Sequence, residues 1–165
     1  MQVIEQLKRM SPERFLAIYT SLETNGYGPL DGDVAKALRF RPQAIRKVPM
    51  DQRARRARTI MQGAANAELA YELFGAYLIK HKKDLVIGFL DSTGVKHEDG
   101  MIEDVEHQKP SKEKLAPTIA ELDEKHAPED VTLYLAIAAE QWPSVPEIDK
   151  IWRERLERES PAAKA

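Results

Sequence analysis

The sequence predicts an all-α fold, and three observations carry that expectation. Apolar side chains recur at helical spacing along most of the 165 residues. No stretch longer than four residues alternates apolar and polar as a half-buried strand does. Prolines stand where helices would begin or stop, next to capping residues and acids. The expected architecture is an irregular single-domain bundle of about seven or eight helices, several short and proline-punctuated. It covers 1–159, and 160–165 form a disordered C-terminal tail.

Taken in order, Val3, Ile4, Leu7 and Met10 have helical spacing, and Ser11-Pro12-Glu13 restarts the chain with a cap, a proline at the first helical position and an acid for the dipole. Phe15, Leu16, Ile18, Tyr19 and Leu22 give the second helix its buried face. It stops at Asn25-Gly26-Tyr27-Gly28-Pro29, which can form turns but neither helix nor central strand. Asp33 is expected to cap a short helix through Phe40, with Val34, Ala37 and Leu38 inward. Pro42 and Pro49 cut the next segment into one-turn pieces. From Met50 to Gln62 a helix carries Met50, Ala54, Ala57 and Met61 on one face and arginines over most of the rest.

The stretch from Ala64 to Thr93 is the longest without proline and is central to the core. Leu69, Ala70, Leu73, Phe74, Tyr77 and Leu78 share one face, with Glu68 and Glu72 opposite. Leu85, Val86, Phe89 and Leu90 form a second stripe, rotated by roughly 140° if the helix is continuous. Either the chain turns at Lys80 to Asp84 or one long helix is covered differently on its two halves; Ile79, already on the later stripe, favours the second. Gly94 ends the element by tolerating positive φ.

A polar loop runs from Val95 to Lys109. Pro117 is expected to open a helix closing near His126, and Pro128-Glu129-Asp130 opens the next. There Val131, Tyr134, Leu135, Ala138 and Trp142 line one face while Leu133 and Ile137 begin a second, so that helix should be nearly enclosed. Ser144-Val145-Pro146-Glu147 reads as a capping box for a last helix with Ile148, Ile151, Trp152 and Leu156 inward and Lys150, Glu154 and Arg158 outward.

Composition bounds function. A charged fraction of 32% and net charge −2 indicate a globular chain, and no apolar run approaches membrane-spanning length. The N-terminal residues lack the apolar core of a signal peptide, which points to the cytoplasm. With no cysteine, disulfides, thiolate metal sites and thiol nucleophiles are excluded. Walker, dinucleotide-binding and G-x-S-x-G patterns are absent, so the expectation is a non-enzyme without cofactor.

The expected activity is binding, to an unknown protein partner or to a second copy. Tyr27, Phe40 and Trp142 are the aromatics whose burial is least assured, and exposed aromatics beside arginine anchor interfaces. The alternative is nucleic-acid or phosphate binding through an arginine-rich helix from Arg53 to Arg58, using Arg39, Arg41, Arg53, Arg55, Arg56 and Arg58. Against it stands the slight net acidity of the chain. A third possibility is a divalent metal in the loop 97–107, with His97, Asp99, Glu103 and His107 as donors. That loop is no calcium-binding EF-hand, because Val95 and His97 occupy its first and third positions.

Overall fold

The computed structural model describes residues 1–159, and the fold is all-α: ten α-helices and one 3-10 turn, with no strand among the described residues. The expected tail, 160–165, lies outside the described residues. The described residues fall into two compact units, one from Val3 to Tyr77 and one over 78–159. No change of composition marks this boundary, which falls inside a helix. No described helix is long and apolar enough to cross a membrane.

In the first unit, α1 (Gln2–Arg9), α2 (Pro12–Ser21), α3 (Asp31–Ala37), α4 (Pro42–Ile45) and α5 (Met50–Met61) are followed by a 3-10 turn (Ala64–Asn66) and the greater part of α6 (Ala67–His81). Ser11 caps α2 as its position implies, its Oγ accepting from the Arg14 N–H at 3.1 Å. Phe15, Tyr19, Ile45, Met61 and Phe74 are fully buried, with Phe15 edge-on to Phe74 at 6.5 Å. Helix α3 differs from expectation. Its cap position is Leu30, held at φ +61°, and Asp33 is an exposed residue of the first turn with no capping bond. Val34 and Ala35 are buried, whereas Ala37 is exposed. The helix closes with Arg39 at φ +58°, the Phe40 N–H reaching the Ala35 carbonyl at 2.7 Å and the Arg39 N–H the Lys36 carbonyl at 3.1 Å.

Between α2 and α3 the chain makes a two-residue hairpin. Thr24 and Tyr27 exchange backbone hydrogen bonds of 2.8 and 3.0 Å around Asn25 (φ +55°) and Gly26 (φ +82°), the type I′ geometry that Asn-Gly favours.

Lys82, at φ −130° and ψ 34°, interrupts the helix between α6 and α7 (Lys83–Thr93). The interruption is one residue long, and the Lys82 N–H still bonds the Leu78 carbonyl at 2.8 Å. It separates the two apolar stripes: Ala70, Leu73, Phe74 and Leu78 are buried before it, Leu85, Val86, Phe89 and Leu90 after it. Leu69, Tyr77 and Ile79 are half-buried.

The second unit contains α7, α8 (Lys112–Lys125), α9 (Pro128–Gln141) and α10 (Pro146–Glu159). Gly94 ends α7 at φ +78°, with the Val95 N–H on the Leu90 carbonyl at 2.9 Å, as its sequence position predicts. Gly94→Ala should therefore lower stability by about 1 kcal/mol, the cost of an L-residue in the left-handed region; urea denaturation reads it, and an unchanged midpoint would contradict the cap. Helix α8 corrects the sequence expectation, because it starts at Lys112 and carries Pro117 inside it. Pro117 is exposed, so water can reach the carbonyl that its missing N–H leaves free. Helix α9 is enclosed, every residue from Asp130 to Ala139 being buried. Phe89 lies edge-on to Tyr134 at 4.9 Å and stacks with Trp142 at 6.3 Å. Trp142 itself is 1% exposed, its Nε1–H donating to the Gln108 carbonyl at 2.8 Å. Along α10, Ile148, Trp152 and Leu156 are buried and Ile151 half-buried. Buried Arg155 joins three helices: its fork meets both Asp123 oxygens at 2.7 and 2.8 Å, and its Nε–H donates to Thr132 Oγ1 at 2.9 Å.

Candidate functional site

The basic segment divides into structural and surface arginines. On α5, Arg53 is 5% exposed, and its Nη1 donates to Asp31 Oδ2 at 2.9 Å and to the Gly26 carbonyl at 3.0 Å. The Asp31 carboxylate also accepts the Tyr19 hydroxyl at 2.8 Å and the Gly28 N–H at 2.6 Å. Gly28 has no room for a Cβ, which would sit 2.5 Å from the Tyr19 ring. Burial first, and the bond to Asp31 second, push the Tyr19 hydroxyl far above the ordinary tyrosine range, so it stays a donor. This cluster fixes the hairpin of residues 24–27 to α2 and α5. Arg58, half-buried, donates from Nη2 to the carbonyls of Leu7 and Met10 at the end of α1. Of the six arginines expected to contact phosphate, Arg53 and Arg58 thus bond within the fold.

The remaining cations face solvent. Arg39, Arg41, Arg55 and Arg56 are exposed, as are Arg46 and Lys47, and Asp51 is the one acid among the described residues from 36 to 58. Two aromatic side chains stand among them. Tyr27, at the end of the hairpin, is 40% exposed and lies under the Arg46 guanidinium, 4.9 Å from the ring centre. Phe40, just past α3, is 38% exposed with the Arg56 guanidinium 5.7 Å from its centre. Each pair holds an apolar ring at the surface by covering one of its faces with a weakly hydrated cation. Arg53 anchors the hairpin at Gly26 to α5, and Arg56, three residues further along the same helix, covers the Phe40 ring.

Known proteins offer no guide. No family model, curated protein or solved structure matches this chain.

The loop 97–107 is organised by hydrogen bonds. Glu98 and Met101 pair around Asp99 (φ +52°) and Gly100 (φ +89°), a second I′ turn, and the Lys83 ammonium reaches Asp99. The Gly100 N–H donates to His97 Nδ1 at 3.0 Å, so Nε2 carries the proton and gives it to Asp91 Oδ1 at 2.6 Å. The one lone pair in the plane of the ring, on Nδ1, is therefore taken by the Gly100 N–H and is not left for a cation. His107 binds Asp104 at 2.8 Å, and that hydrogen bond holds the Asp104 carboxyl below its usual range. The four proposed metal donors are therefore not gathered, and no group of three or more acids and histidines placed to hold a metal occurs among the described residues. A cleft of about 280 Å³ beside His97 is lined by Met101, Glu103 and Gln108. Met101 is 63% exposed and shares that cleft with Lys96, Glu98 and Asp104, all exposed as well.

Sequence reasoning missed Asp31 and Arg155. An arginine inside the apolar spacing of α5 or α10 was the available signal, since such a residue needs a buried acid nearby.

Proposed function

We propose that this chain is a cytoplasmic binding protein without catalytic activity, whose first unit presents an arginine–aromatic face to a protein partner. The observation that carries this reading is the pairing of Tyr27 with Arg46 and of Phe40 with Arg56 at the surface. Rigid aromatic rings and planar guanidinium groups lose little entropy on association and supply the residue types that dominate interface energies. The surrounding cations favour an acidic partner segment.

Two features favour protein over nucleic acid. One face of each ring is already covered by a guanidinium, which competes with a stacking base. Arg53 and Arg58 are spent inside the fold, which leaves α5 only Arg55 and Arg56 for phosphates. Phosphate-backbone binding through Arg39, Arg41, Arg55 and Arg56 is the second reading, supported by their exposure.

Fluorescence anisotropy with a labelled glutamate–tyrosine copolymer and a single-stranded oligonucleotide, at about 50 and 200 mM salt, separates the two. The copolymer should bind, and the Tyr27→Ala, Phe40→Ala double variant should weaken it at least about tenfold, as loss of anchor residues does. Tighter oligonucleotide binding that collapses at the higher salt would reverse the assignment. Binding of neither probe would remove both.

A further inference from the structure

The face just described has a counterpart on the same chain. Among the described residues the large apolar side chains standing exposed are Met1, Tyr27, Phe40 and Met101. Tyr27 and Phe40 are each paired with an arginine in the first unit, where residues 36–58 hold Asp51 as their one acid, and Met101 stands in the second unit's loop 95–109, which holds five carboxylates against Lys96 and Lys109. Around Met101 the I′ turn at Asp99-Gly100 holds the loop in one conformation, and the His97 bonds to Gly100 and Asp91 fix its base to α7. Asp99 is engaged by Lys83 and Asp104 by His107, while Glu98, Glu103 and Glu106 are exposed at the same loop. The loop is therefore a preformed acidic knob with one flexible, polarisable apolar side chain, and thioethers pack well on aromatic rings. Preorganised loops lose little entropy on docking, which lets a small contact count.

We propose that the arginine–aromatic face of one copy receives the acidic loop 98–106 of a second copy, Met101 seating against Phe40 while Glu103 and Glu106 meet Arg41, next to that ring in the chain, and Arg56, which covers it. This names the partner for the binding reading above and rests on it. Because face and loop are different surfaces, the contact is heterologous, and two copies can satisfy it reciprocally or add further copies in series. Its charge content makes it sensitive to ionic strength, since exposed pairs are screened within about 8–10 Å in ordinary buffers.

Light scattering on the full chain from about 10 µM to 1 mM, at roughly 50 and 500 mM salt, provides the test. Average mass should rise with concentration at low salt and return to that of the monomer at high salt. Two charge-reversed variants sharpen the result: Arg41→Glu with Arg56→Glu on the face, and Glu103→Lys with Glu106→Lys on the loop. Each alone should stay monomeric at low salt, with unchanged circular dichroism, and mixing the two should restore association. A wild-type chain that is monomeric throughout at low salt overturns the proposal, as does a mixture that stays monomeric. Copolymer binding by a strictly monomeric chain would leave the face as a protein-binding site and remove the second copy as its occupant. Loss of both would remove the face as well.

Discussion

Asp31→Ala should destabilise the chain by about 3–5 kcal/mol, because it strands a buried guanidinium. Arg53 is 5% exposed and its partner in the ion pair is Asp31, at 2.9 Å. The same carboxylate accepts the Tyr19 hydroxyl and the Gly28 N–H, so truncation leaves three donors short of an acceptor at once. Urea denaturation at neutral pH measures the loss. The double variant Asp31→Ala, Arg53→Met should recover part of it, since no charge then remains inside. A cost below about 1 kcal/mol for the single variant would mean that water reaches the pair and that it holds nothing in place. In a chain stable by roughly 5–15 kcal/mol, the predicted loss is large enough to lower the folded population at body temperature.

Phe74→Ala should cost about 3–5 kcal/mol as well, through a different mechanism. Its ring is fully buried in the first unit and meets Phe15 edge-on at 6.5 Å, so alanine leaves a cavity that the neighbouring helices can only partly close. Phe74→Leu should retain most of the stability, because it keeps much of the volume. Thermal unfolding followed by circular dichroism reports both variants; a near-neutral alanine substitution would place the buried side of α6 elsewhere.

Much of the fold was legible because it depends on local rules. The apolar stripes of α2, α5, α6, α7 and α9, the Ser11 cap and the Gly94 exit all follow from spacing and capping chemistry, and each stands where the sequence places it. What was illegible depends on pairs far apart in the chain. Arg53 looks like a surface cation until Asp31, 22 residues earlier, is brought beneath it, and Arg155 looks the same until Asp123 and Thr132 arrive. Pro117 misled for a related reason: its ring forbids an N–H but not a helix, provided the site is wet. Within the candidate site, the exposure of Tyr27 and Phe40 was anticipated as a question and the burial of Trp142 answered it the other way, since only the fold supplies Gln108 to its indole. The guanidinium covers on the two rings had no sequence signature at all.

The boundary between the two units passes between Tyr77 and Leu78, within one run of helical hydrogen bonds. Leu73 and Phe74 belong to the first unit and Leu78 opens the second, so a single turn or so of α6 serves two cores. A helix segment as short as Ala67–Tyr77 has little persistence alone in water, because nucleation costs more than a few bonds return. Each unit's share of α6 therefore depends for its helical structure on that unit's own buried side chains, Leu73 and Phe74 in the first and Leu78 in the second.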